Sequence, residues 1–460
     1  MAVSKSSPCH ENPLMRATRR IDALLADFFA SRPLAGKHLC IALSGGIDSV
    51  VLLHAMHRLH QNSQERVRLS AVHVHHGLSR HADDWADFCF RLCQNHGVPC
   101  EVVSVCVPRN SGEGLEAAAR RLRYGVFEAV EADALLLAHH RADQSETVLL
   151  NLLRGAGVAG AVGMRAERPQ SQGAVLWRPL LEAPRSLIDS YAEEYKLPWV
   201  TDESNDDRHY RRNFLRHDIF PQLEGKFPGA EKSLARAAGH FAEAACLLDD
   251  LAILDKASTT AASGRLALAS FNALPPARAR NLLRHVWSAA GFRAPEVRWV
   301  DEALKQLVTA EASSEVCLST LDGELRVYRG ELFVVSKKTL QLPMPVVWSG
   351  QSVLPWAGSV VRFYSTTGKG VRQSLFTEGT VRLMPRQGGE RLQPDAKRPR
   401  RRLRNLLQES AVPPWVRSQL PLLWVDERLA WVGGIGHDAS LACPPGENGV
   451  FIEWDVARIS

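Results

Sequence analysis

An α/β protein built on a parallel sheet wound with helices, followed by a mainly helical middle domain and a mixed α/β C-terminal domain, is the fold class that the sequence predicts. Three observations carry it. Between residues 38 and 154, β-rich apolar runs alternate with amphipathic helical ones, the pattern of strands joined by crossover helices. From residue 230 the sequence turns Ala-rich and helical, and beyond Pro343 and Pro345 it turns to short β-type runs bounded by Gly, Pro and Ser. The 460 residues are 45% hydrophobic and 23% charged, the composition of a soluble protein of about three domains.

The elements follow in order. Residues 1–35 read as a lead and a helix. Apolar runs at 38–43, 68–74, 100–107 and 134–138 predict strands, and the amphipathic stretches at 48–60, 82–96, 115–131 and 144–154 predict the helices after them. Folds of this kind bind ligands where strand C-termini hand over to helices. The α/β domain is expected over residues 36–217 and the helical domain over 218–342, with helices at 235–251 and 276–290 and a β-like piece at 324–335. Residues 343–350 form a linker and 351–460 the final domain.

Several function classes are excluded at this level. No apolar stretch approaches the roughly 18 residues of a membrane span, and the N-terminus lacks the apolar core of a secretory signal, so a cytoplasmic protein without a membrane partner is expected. Nine cysteines, an odd number scattered along a chain long enough to need no staples, suit reduced thiols rather than a disulfide framework. Cys89 and Cys93, four apart on a predicted helix, read as packing. Oligomeric state has no signature in the sequence. The net charge of +6 is mild, but residues 381–410 carry nine basic against three acidic side chains. Lys397, Arg398, Arg400, Arg401, Arg402 and Arg404 lie in this stretch, which is expected to dock nucleic-acid phosphates.

The strongest local signal is Ser44-Gly45-Gly46-Ile47-Asp48-Ser49, between the first predicted strand and its helix. Two glycines allow a tight turn that aims amide N–H groups at an anion, Ser44 and Ser49 add hydroxyl donors, and the helix N-terminus adds partial positive charge. The spacing is neither that of the Walker loop nor that of dinucleotide binders. A carboxylate beside phosphates suits a divalent cation, so Asp48 is the candidate Mg²⁺ ligand.

This motif resembles the phosphate loop of the N-type ATP pyrophosphatases, which activate a carbonyl oxygen by adenylation. Three further sets of residues narrow the resemblance. They are His73-Val74-His75-His76-Gly77-Leu78 after the second strand, His139-His140-Arg141-Ala142-Asp143-Gln144-Ser145-Glu146-Thr147 after the fourth, and Glu116 with Arg120, Arg123 and Tyr124 between them. Arg178-Pro179-Leu180-Leu181 and the stretch from Trp199 through Asp202 to Tyr210, Arg212, Asn213 and Arg216 complete the order. Over residues 38–217 this is similar to the tRNA(Ile)-lysidine synthases, and residues 382–436 resemble that family's C-terminal domain. One departure stands out: the family carries two adjacent acids before the Gln of its fourth-strand motif, and here the first is Ala142.

The resemblance implies ATP-dependent joining of free L-lysine to C2 of the wobble cytidine, position 34, in isoleucine tRNA with a CAU anticodon. An adenylated cytidine is the intermediate, and AMP and pyrophosphate are released. It implies ATP contacts at residues 44–49, His73 and His139, tRNA contacts at Arg120, Arg123 and the basic run, and Asp48, Asp143, Glu146 and Arg212 as catalytic residues. Asp143 and Glu146, three apart at a helix start and so on one face, are the candidates for the lysine site, one of them serving as base. The rival on the same fold, tRNA base 2-thiolation, would need C-x-x-C pairs that this sequence lacks. A tRNA-binding module without chemistry would not need an intact phosphate loop.

Overall fold

The computed structural model describes residues 13–62, 67–108, 114–170, 173–203, 207–311, 316–337 and 343–455. Ser204, Asn205 and Asp206, the lead at 1–12 and the Glu116 side chain lie outside the described residues. The chain forms two compact units divided between Cys246 and Leu247.

In the first unit β1 (His38–Ala42), β2 (Arg68–His75), β3 (Cys100–Ser104), β4 (Ala134–Leu136), β5 (Glu167–Arg168) and β6 (Val175–Trp177) make one sheet in the order β3-β2-β1-β4-β6-β5. All pairings are parallel except β5 with β6. The period-2 alternation of a strand buried on both faces is plain in β1. Leu39 and Ile41 enter one apolar core, while Cys40 enters the other with Val72, Leu135 and Leu176. Residues of α1 (Pro13–Phe29), α2 (Ile47–Asn62) and α3 (Ala82–Asn95) belong to the first core, and Phe127 of α4 (Leu115–Glu128) belongs to the second. Since β2 lies on one side of β1 and β4 on the other, the chain reverses direction across the sheet at β1, where such folds open a crevice.

Strand β3 stops at Ser104, short of the expected residue 107, because its ladder with β2 ends at His75. Helix α5 (Arg141–Leu153) begins three residues before the expected position. Asp143, its third residue, reaches back to the His140 backbone N–H (3.0 Å) and caps the first turn. Past the short α6 (Val158–Ala161), α7 (Arg185–Glu194) buries Leu187, Ile188 and Tyr191 in the first core. The two strands β5 and β6 were too short for the sequence pattern to show.

In the second unit the helices Pro276–Ala289 and Val297–Thr309 share a core with a four-stranded antiparallel sheet around Gly323–Tyr328 and Glu331–Ser336. Beyond Pro343, two further antiparallel sheets of five and four strands enclose a separate core. Among the described residues, no helix is long and apolar enough to cross a membrane.

Candidate active site

At the crossover of the first unit a cleft of about 1480 Å³ is lined by the loop after β1, by the ends of β2 and β4, and by the starts of α5 and α7. Its floor is the loop from Ser44 to Ser49. Gly45 takes φ +86°, a conformation that an L side chain enters only under strain. Its carbonyl accepts from the Val200 amide at 3.0 Å, so the segment after α7 is tied to the loop. The hydroxyls brace the turn: Ser49 Oγ donates to Gly46 O (2.9 Å), and the Ser44 and Ser49 oxygens lie 3.1 Å apart.

Two histidines flank this floor as neutral donors. His73 Nδ1 donates to Leu43 O at 2.8 Å, and burial pushes its pKa below the usual value. Arg178 Nε donates to His139 Nδ1 at 3.2 Å, which leaves the His139 proton on Nε2, and burial lowers this imidazole to about 3. Asp48 also lines the cleft, where Arg185 Nη1 donates to its Oδ1 at 2.9 Å and His140 Nε2 stands 3.7 Å away. Burial raises the Asp48 pKa, and the neighbouring His140 and Arg185 oppose the rise.

Asp143 and Glu146 do share a face, and they point into a cage of arginines. Arg212 donates from Nη2 to Asp143 Oδ1 and from Nε to Glu146 Oε2, both at 2.7 Å. Arg216 donates to Glu146 Oε1 (2.6 Å), Glu146 Oε2 (3.0 Å) and Asp143 Oδ1 (3.1 Å). Arg212 and Arg216, four residues apart and so on one helical face, lie where α8 (Arg211–Phe214) runs into a π-helical turn, Leu215–Ile219, an irregularity common at functional sites. Burial by itself would raise the Asp143 carboxyl, but His140, Arg212 and His139 outweigh it and hold it at about 2.

Arg120 and Arg123 line the same cleft. The Arg120 guanidinium stacks 5.1 Å from the Tyr124 ring. Ala142 lies in the first turn of α5, its carbonyl accepting from Ser145 Oγ at 2.9 Å. Arg185 and Arg216, which line the cleft, and Arg178, which supports His139, had no assigned role from sequence. Arg178 and Arg216 stood within recognisable motifs, whereas the one signal for Arg185 was a cation placed right after Pro184 at a helix start.

The basic run lies in the second unit and divides by partner. Arg398 pairs with Asp395 (3.6 Å), Arg400 with Asp438 (2.8 Å) and Arg401 with Glu409. Among the described residues Lys397, Arg402 and Arg404 form no ion pair and are exposed.

Residues 13–223 match the family model of a PP-loop domain, 266–333 that of the TilS substrate binding domain, and 381–454 that of the TilS substrate C-terminal domain. The tRNA(Ile)-lysidine synthase of Nitrosomonas europaea is 42% identical over 430 residues, covering 92% of this chain and 93% of its own. The chain belongs to the tRNA(Ile)-lysidine synthase family. The Aromatoleum aromaticum member is 42% identical over 91% of this chain and 97% of its own length. The Methylococcus capsulatus member is 36% identical over 94% and 99%. Membership of this family makes the chain an ATP-dependent ligase.

Proposed function

We propose that this enzyme adenylates the C2 carbonyl oxygen of the wobble cytidine in isoleucine tRNA bearing CAU, and then joins free L-lysine to that carbon with release of AMP. The observation that carries this proposal is one cleft holding both a phosphate loop and a carboxylate–arginine cage. The first supplies ATP chemistry, and the second supplies the carboxylates that an incoming ammonium would meet.

A pyrimidine carbonyl is a poor electrophile until its oxygen becomes a good leaving group, which is what adenylation achieves. In this reading the loop of residues 44–49 and the neutral Nε2–H of His139 take the phosphates and the charge that develops on pyrophosphate. One carboxylate together with substrate phosphates is a common way to hold Mg²⁺. Asp48 fits that role, and the ion would neutralise charge on the departing group.

In the second step the ε-amine must be neutral, which costs roughly 4.6 kcal/mol at pH 7 for an ordinary lysine pKa of about 10.4. An ammonium entering the cage meets two carboxylates that bind it and two guanidiniums that lower its pKa. Asp143, read from sequence as one of two candidate bases, is a weak proton acceptor at about 2. Its part in this mechanism is to hold Arg212 and Arg216, and Glu146 takes the proton. Arg212, shared by both carboxylates, is placed to steady the adenylate. The target base must leave the anticodon stack to enter the cleft, with Arg120 and Arg123 at its rim to contact the anticodon phosphates.

The half-reactions test this. Wild-type protein with ATP and the tRNA should release pyrophosphate without lysine, and Glu146→Gln should keep that release while losing lysine transfer. Equal loss of both steps would remove Glu146 from the second.

A further inference from the structure

Arg185 lines the cleft and has no part in the steps above. Arg185 stands at the first position of α7, where a cation opposes the helix dipole. The position is nonetheless firmly held: the Ala183 carbonyl just before it accepts from the Arg141 amide at 3.0 Å, and Leu187, Ile188 and Tyr191 anchor the helix in the core. The guanidinium spans two carboxylates, donating from Nε to Asp189 and from Nη1 to Asp48, each at 2.9 Å. Its side chain is 41% exposed and lines the cleft beside Ser44, Gly46 and Ser49. A cation that leans on the carboxylate expected to carry Mg²⁺, at the edge of a phosphate loop, is matched to a diphosphate.

We propose that Arg185 is a diphosphate-binding residue of this cleft, resting on Asp48 in the free enzyme and passing to the β- and γ-phosphate oxygens when a divalent cation takes Asp48. The proposal rests on the adenylation chemistry argued above and deepens it. Arg185 and the cation compete for one carboxylate, so the arginine keeps Asp48 paired until Mg²⁺ arrives. It then replaces that ion pair with charge-assisted hydrogen bonds to the leaving group. Asp189, four residues along the same helix, keeps the guanidinium near the loop in both states.

The test is calorimetric titration of the full-length protein with inorganic pyrophosphate at low and at saturating Mg²⁺, comparing wild type with Arg185→Gln and Arg185→Lys. Arg185→Gln is expected to weaken pyrophosphate binding about tenfold or more, the scale of losing a charge-assisted contact. Arg185→Lys should recover part of that loss. Without its competitor, Asp48 should also need less Mg²⁺ for half-saturation in the Gln variant. Wild-type pyrophosphate affinity and an unchanged Mg²⁺ midpoint in Arg185→Gln, while the wild type still cleaves ATP, would overturn the role of Arg185 alone. A wild-type protein that neither binds pyrophosphate nor cleaves ATP would overturn the adenylation reading and Arg185 with it.

Discussion

The carboxylate–arginine cage makes a quantitative prediction through a double-mutant cycle on Glu146 and Arg216. Glu146 is 2% exposed and accepts three hydrogen bonds of 2.6–3.0 Å from Arg212 and Arg216. Glu146→Gln leaves one carboxylate to satisfy two guanidiniums. Removing one partner of a fully buried pair costs about 3–5 kcal/mol. Here the arginine side chains are 31% and 34% exposed, so solvent screening reduces the expectation to about 2–3 kcal/mol. Arg216→Met leaves Glu146 with Arg212 alone and should cost less. The double variant removes the mismatch, so its cost should fall short of the sum by about 1–3 kcal/mol. A chain of two compact units is not suited to a single unfolding transition. The assay is therefore native-state amide hydrogen exchange across α5, which reports the local opening free energy. Additivity within about 0.5 kcal/mol would refute the reasoning, since it would mean that these groups do not act as one network.

Three other outcomes are expected. Gly45→Ala should abolish ATP binding, because φ +86° strains any side chain and the new Cβ would stand 2.8 Å from Val200 Cγ2; nucleotide binding at wild-type affinity would contradict this. Burial chiefly holds His54 at about 4 and His139 at about 3, so both stay neutral in the folded protein below the pH at which the unfolded chain takes up the proton. Their contribution is fully present above about pH 6.5 and falls as the pH drops toward 4. The melting temperature should decline over that window, and His54→Phe should decline less; equal slopes would contradict the assignment. In the basic run, Arg402→Gln with Arg404→Gln should make the salt dependence of tRNA binding shallower by about 0.7–0.9 per lost phosphate contact. Arg401→Gln, which breaks a pair with Glu409, should change it less, and the reverse order would contradict the division by partner.

The parallel sheet and the phosphate loop were legible in the sequence because each has a local signature. Strand alternation, two glycines between hydroxyls and a helix start all lie within a few consecutive residues. Asp143 and Glu146 were found to share a face because a helix places residues three apart together. What they face was not legible, since Arg212 and Arg216 lie 66 to 73 positions away in sequence, beyond the reach of any local pattern. The same distance hid the environment of Asp143, whose carboxyl His140, Arg212 and His139 hold at about 2. Arg185 was missed for a related reason, as its partner Asp48 is 137 positions away. Counting charges located the basic run but could not separate arginines held by Asp438 and Glu409 from those without an ion pair among the described residues.

The central claim is best tested by single-turnover reaction of the purified protein with ATP, radiolabelled lysine and isoleucine tRNA bearing CAU, with methionine tRNA of the same anticodon as control. Label should enter the isoleucine tRNA alone, with one AMP released for each lysine joined, which would also show that Ala142 is tolerated in place of the family's acid. ATP cleavage without transfer of lysine to either tRNA would contradict the assignment of the cage as the lysine site.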